Sequence, residues 1–189
     1  MAQLTEVRWH GRGGQGAKTA GYILAVAAAE EGWNIQAFPE YGAERRGAPM
    51  KSYVRISDGP IRLRSGIQQP DIVIVLDDSL LASENVTDGM DPGGVLLVNS
   101  AKSVEEVRSL IGDADVKLFV VDATKVAMDT IGRPIPNTVM LGALAKATGL
   151  VSMNGVKRAI DVRLGGKLSQ AAVEANYAAV ERAYEEVKS

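Results

Sequence analysis

Val7 and Trp9 alternate with Arg8 and His10, the period of a short strand, and Gly11, Gly13, Gly14 and Gly16 follow at once. The period then changes. Over residues 18–31 the apolar positions Ala20, Ile23, Leu24, Ala27 and Ala28 share one helical face, and Gly32 stands where a C′ glycine ends a helix. WNIQAF (33–38) predicts a second strand, so strand, glycine loop, helix and strand make a Rossmann-like βαβ unit. Alternation in SYVRIS (52–57) and IRLRS (61–65), joined by Asp58, Gly59 and Pro60, predicts a hairpin inserted after that unit.

DIVIVL (71–76) is apolar throughout and rich in β-branched residues, as a strand buried on both faces requires, and VLLV (95–98) and VKLFVV (116–121) repeat it. Residues 103–111 between the last two carry a helical pattern. The final third predicts helices: one from an Asn137 N-cap after two prolines, one from Asn154, and one over 168–187. Val173, Tyr177, Val180, Tyr184 and Val187 form a stripe on that last helix, for which the chain's own sheet is the expected seat. The fold class is α/β: a mostly parallel sheet with helices on both faces, one hairpin insertion and a helical C-terminal third, in a single domain spanning 1–189.

Composition narrows the function classes. With 21 basic against 23 acidic residues the net charge is -2, which argues against nucleic acid as the main partner. No run reaches the ~18 apolar residues of a membrane span, and no secretory leader pattern opens the chain, so the expected location is cytoplasmic. The chain has no cysteine and one histidine, so no thiolate is offered to a cluster and no transition-metal site is expected.

Three stretches carry candidate chemistry. The first, HGRGGQG, spells G-x-G-x-x-G with Gly11, Gly13 and Gly16 between a strand and a helix, where backbone N–H groups receive phosphate. A nicotinamide dinucleotide would also need an acid closing the second strand. Glu40 lies beyond Pro39 and fits poorly, whereas Arg12 and Gln15 place polar contact groups in the loop itself. The second stretch, YGAERRGAP, sets Arg45 and Arg46 between glycines in a long loop; downstream, Arg55, Arg62 and Arg64 read as a solvated basic face. In the third, TIGRPIPNTVMLG, Arg133 stands near a helix N-terminus at Asn137. His10 lacks a sequence partner, Asp77 and Asp78 read as caps of a following helix, and no catalytic set emerges.

Together HGRGGQGAKTAGYILA, FPEYGAERRGAPMKSYVRIS and GRPIPNTVMLGALAKATGL resemble the gamma subunit of 2-oxoacid:ferredoxin oxidoreductases, pyruvate synthase type, equivalent to domain III of the single-chain enzymes. The resemblance implies a complex with alpha, beta and delta subunits that uses thiamine diphosphate, magnesium and 4Fe-4S clusters. It converts a 2-oxoacid and coenzyme A to acyl-CoA and CO2 and reduces ferredoxin. It also implies a non-catalytic chain, inactive alone, with the cofactors on other subunits. On this reading the loop from Gly11 to Gly16, through the backbone at Gly13, Gly14 and Gln15, joins Arg45 or Arg46, Arg133 and Asn137 on the phosphates of coenzyme A. The competing expectation from residues alone is a free-standing Rossmann-type nucleotide-binding oxidoreductase.

Overall fold

The first alternating run becomes β1 (Leu4–Arg12), and the alanine-rich segment becomes α1 (Ala17–Glu30), which ends with Gly32 at its C′ position. In chain order follow β2 (Asn34–Pro39), β3 (Pro49–Ser57), β4 (Ile72–Val75), α2 (Leu80–Ser83), β5 (Gly94–Asn99), α3 (Val104–Ile111) and β6 (Val116–Val121). Then come α4 (Ala123–Ile131), α5 (Val139–Thr148), α6 (Met153–Ile160), one π-helical turn (Asp161–Gly165) and α7 (Gln170–Glu186). This computed structural model describes residues 3–40 and 46–189.

The strands form one sheet in the order β2-β3-β1-β4-β5-β6. β1, β4, β5 and β6 run parallel, and β3 is antiparallel to both of its neighbours, β1 and β2. β2 therefore runs with the parallel set, and the sheet is mostly parallel, as the alternation of strands and helices requires. Helices cover both faces. α1 and α4 to α7 pack with Val7, Trp9, Val54, Ile56, Ile72, Ile74 and Leu97 on one side. On the other, Leu80 and Leu81 of α2 and Val107 of α3 meet Val73, Val75, Leu96, Val98, Leu118 and Val120. Ser103 and Glu106 close the start of α3 with a reciprocal capping box, which satisfies two of its otherwise unpaired amides.

Several expectations shift. The antiparallel strand is present, but its partners are β1 and β2; residues 61–64 form no strand. Gln36 in β2 satisfies the register that the Ile61 run would have filled, and its side chain instead donates to the Leu63 carbonyl at 2.8 Å. The βαβ unit is consequently split, because β3 lies between β1 and β2. Arg55 is no part of a solvated face: it is 1% exposed and ion-paired to Glu6 at 2.6 Å.

The C-terminal stripe packs on helices rather than on the sheet. α7 lies on α5 and α4, and α5 stands between it and the strands. A Cβ added at Gly142 of α5 would stand 1.9 Å from the Val180 carbonyl, so glycine is what lets the two backbones approach. The tail beyond α7 reaches the sheet, where Lys188 bridges to Val120 on the β6 edge. Asn137 lies one residue ahead of the observed N-cap, Thr138, because its side chain turns back to accept the Thr138 amide at 2.8 Å. Likewise α6 starts at Met153 behind a Ser152 cap, one position earlier than expected.

Candidate functional site

At the carboxyl ends of β1 and β4 the chain leaves the sheet toward opposite faces, into α1 from β1 and into α2 from β4. Open α/β sheets bind ligands in the crevice at such a switch point, since diverging connections leave a gap lined by loop backbone. The glycine loop stands on one side of this gap and Asp77 to Ser79 on the other.

The basic loop arrives there by extension of a strand ladder. β1 and β3 pair up to Arg12 opposite Pro49. Beyond that pair the Gly13 amide donates to the Ala48 carbonyl at 2.9 Å, and the Gly47 amide donates to the Gly13 carbonyl at 3.0 Å. Arg12 adds a third stitch from Nη1 to the Gly47 carbonyl at 3.2 Å. Inserting β3 next to β1 is thus what lays Arg46 and Gly47 beside the glycines. Arg46 is exposed; Arg45 lies outside the described residues.

The loop's polar side chains converge on Asp77. Gln15 donates from Nε2 to Asp77 Oδ2 at 2.7 Å while its Oε1 accepts the Arg12 amide at 2.7 Å. Arg12 Nε lies 3.3 Å from the same carboxylate oxygen, and its Nη2 donates to Ser79 Oγ at 2.8 Å. Burial acts to raise the Asp77 carboxyl, yet bonds from Ser79 and Gln15 and the Arg12 charge hold it below the ordinary range. Asp78, read from sequence as a second cap, instead takes Ser100 at 2.7 Å and the Lys102 ammonium. Asp77 does receive the Ser79 amide at 3.0 Å, but its links to Arg12 and Gln15 needed the strand order to be seen.

The third motif reaches the same place. Gly16 has φ +82°, and a Cβ there would stand 2.4 Å from Asn137 Nδ2, so the loop and the lead-in to α5 meet only because the residue is glycine. Thr138 then ties this corner to α7 through Asn176 at 2.8 Å. Arg133 is exposed, and no hydrogen bond or ion pair joins its guanidinium to the described residues, so the structure leaves it outside the stitched cluster. The amides of Gly13 and Gln15 are engaged within the protein, Gln15 with the Arg12 carbonyl at 3.0 Å. Among the described residues the amides of Gly14 and Gly16 have no acceptor, and Gly16 caps α1 without a side-chain bond. Of the loop amides expected to donate, Gly13 and Gln15 are thus already engaged, and those of Gly14 and Gly16 are the ones left open among the described residues.

A model of the pyruvate ferredoxin/flavodoxin oxidoreductase family matches residues 6–186. The chain belongs to this family. Among relatives of this family member, the "pyruvate/ketoisovalerate oxidoreductases common subunit gamma" of Thermococcus kodakarensis is 50% identical over 96% of each chain. The crystal structure of the pyruvate oxidoreductase subunit PORC of Thermotoga maritima superposes with TM-score 0.87 at 45% identity over 98% of each chain. A 2-oxoglutarate:ferredoxin oxidoreductase from Magnetococcus marinus shares the fold, with TM-score 0.76 at 20% identity, this chain covering 31% of that one. The family member thus matches gamma-type subunits end to end.

Other places in this oxidoreductase subunit suit an anion less well. A concavity of about 1050 Å³ at the ends of β5 and β6 sets the acids Glu105, Glu106, Asp122, Glu185 and Glu186 against Lys102 and Lys188, a net negative lining that disfavours polyphosphate. His10 is buried with Nε2 accepting from Arg8 at 3.0 Å; burial and the neighbouring charges of Arg8 and Lys51 push it down to about 3, which keeps it neutral. Glu40 follows β2, two strands from β1 rather than on the adjacent strand whose end carries a dinucleotide's ribose acid; its carboxylate accepts from the Tyr53 hydroxyl at 3.2 Å, and it shares a small cavity with His10, Gly11 and Lys51. Among the described residues no three potential ligands are grouped for a metal, and no helix is long and apolar enough to cross a membrane.

Proposed function

We propose that this chain is the gamma subunit of a pyruvate-type 2-oxoacid:ferredoxin oxidoreductase and that its switch-point crevice holds the phosphates of coenzyme A. One observation carries the reading: the β1–β3 ladder runs on past Arg12 and brings the glycine loop and the Arg46 loop into one hydrogen-bonded unit. The amides of Gly14 and Gly16, the N-terminus of α1 and the exposed Arg46 then supply donors and positive charge to one anion. Support also comes from the Magnetococcus marinus protein, whose structure contains coenzyme A and succinyl-CoA.

Within this reading the chain binds and orients coenzyme A, and the redox steps belong to the assembled complex with its alpha, beta and delta subunits and ferredoxin. The 4Fe-4S clusters fit other chains better because this one offers no thiolate. Thiamine diphosphate with magnesium does so because the sequence has no G-D-G followed by an asparagine to hold the metal and diphosphate. The test is the double substitution Arg45→Ala/Arg46→Ala in the complete complex. Losing charge-assisted bonds to phosphate should raise KM for coenzyme A on the order of tenfold. An unchanged KM rejects the site, and a native protein that purifies alone and binds NAD tightly rejects the subunit assignment.

A further inference from the structure

The Asp77 carboxylate gathers bonds from three residues on two segments. Gln15 and Arg12 reach it from the glycine loop, and Ser79 reaches it from the start of α2 with both its amide and its hydroxyl. Through Gln15, whose Oε1 holds the Arg12 amide, Asp77 sets the backbone of the loop. Through Arg12, whose Nη1 holds the Gly47 carbonyl, it also fixes the segment that carries Arg46.

Helix capping alone does not account for an acid here. Ser or Asn would serve the short α2 as well, and a negative charge beside a phosphate site opposes the ligand. What a carboxylate adds is a fixed seat for a guanidinium. Arg12 unanchored samples many rotamers, and ordering it before the ligand arrives removes that cost from binding.

We infer that Asp77 is a positioning residue of the anion site, holding Arg12, Gln15 and, by way of Arg12, the Gly47 carbonyl in the arrangement that phosphate meets. The inference rests on the coenzyme A reading above, and its test separates the two. In the complete complex, with pyruvate saturating and a low-potential electron acceptor, Asp77→Ala raises KM for coenzyme A about tenfold while kcat at saturating coenzyme A stays within about twofold. Asp77→Asn, which keeps one acceptor, raises KM about threefold.

Pantetheine, the thiol arm without phosphates, supplies the readout that a merely structural role would not spare: its KM stays the same in both variants. A KM for pantetheine that rises in step with that for coenzyme A overturns the inference, as does an unchanged KM for coenzyme A in Asp77→Ala. If Arg45→Ala/Arg46→Ala raises KM and Asp77→Ala does not, Asp77 alone is misassigned. If neither does, the coenzyme A site itself falls. Should Asp77→Ala fail to assemble, Asp77→Asn with both thiols carries the same decision.

Discussion

The face of the sheet turned away from α1 is built in two ways. Across β4, β5 and β6 it is aliphatic, with Val73, Val75, Leu96, Val98, Leu118 and Val120 under α2 and α3. Across β1, β3 and β2 the same face carries Glu6, Arg8, His10, Tyr53, Arg55 and Gln36, in register with the valines of β4. Helix reaches this second half only at its border, where Leu80 of α2 and His10 line one small cavity, yet Arg8, His10 and Arg55 are 5%, 2% and 1% exposed. Irregular chain covers it, and irregular chain brings carbonyls that must be satisfied. Arg8 donates to the Val86 and Asp88 carbonyls at 3.0 and 2.7 Å, and Gln36 donates to that of Leu63. The lesson is that an aliphatic sheet face suits helices, which satisfy their own backbone, whereas a face covered by loops has to supply the donors itself. The polar half is also where β3 enters, and β3 is what delivers the basic loop to the crevice.

The sharpest way to break the comparison is to remove one partner of the buried pair in the polar half. Arg55→Met leaves the Glu6 carboxylate, 18% exposed, and the Gln36 oxygen without their donor. Urea unfolding should show a loss of about 3–5 kcal/mol, and the double substitution Glu6→Leu/Arg55→Met should recover most of it. A double variant as unstable as the single one would show that the pair contributes through more than mutual compensation.

In the aliphatic half the matching change is Leu96→Ala, fully buried between α2 and α3. Transfer and cavity terms together make its expected cost about 3 kcal/mol, and because nothing there titrates, the cost should be equal at pH 5 and pH 8. A strongly pH-dependent cost would erase the contrast between the halves.

The polar half does respond to pH, through His10. Its folded value of about 3 lies below the unfolded 6.5, so over that window the unfolded chain binds a proton that the folded chain refuses. Stability from this residue is complete above 6.5 and is lost as pH falls toward 3, amounting to about 1.4 kcal/mol by pH 5.5. His10→Gln keeps an acceptor for Arg8 and should unfold with a flatter acid limb than the parent; superimposable limbs would show that His10 is not neutral in the fold.

These two halves also explain what the sequence made legible. DIVIVL and its repeats announced strands buried on both faces, because β-branched runs leave few alternatives. The glycine loop and its helix were equally plain. The partner of β3 was not, since alternation in residues 61–65 satisfies a strand pattern locally and only tertiary pairing shows that β2 fills that place. For the site, the motifs containing Gly11 to Gly16, Arg46 and Asn137 were visible as separate stretches. Asp77 was not, because two residues after a strand it reads as a cap until the order of strands sets it across from Arg12.

The smallest expected effect tests how the loop is held. Gln36→Met removes the donor to the Leu63 carbonyl and the acceptor for Arg55 Nη1, both at 2.8 Å. Leu63 is 49% exposed, so water replaces the first bond, and global stability should fall by only about 1 kcal/mol. The local consequence is larger. Arg62 and Arg64 flank Leu63 in extended, exposed chain, where trypsin cuts once the backbone can leave the sheet. Limited trypsinolysis should therefore nick the Gln36→Met variant after Arg62 or Arg64 several-fold faster than the parent, with little change in Tm, while Ser103→Ala at the α3 cap leaves that rate alone. Equal nicking rates would mean that the Ile67 anchor, 3% exposed, already holds the covering segment without the hydrogen bond from the sheet.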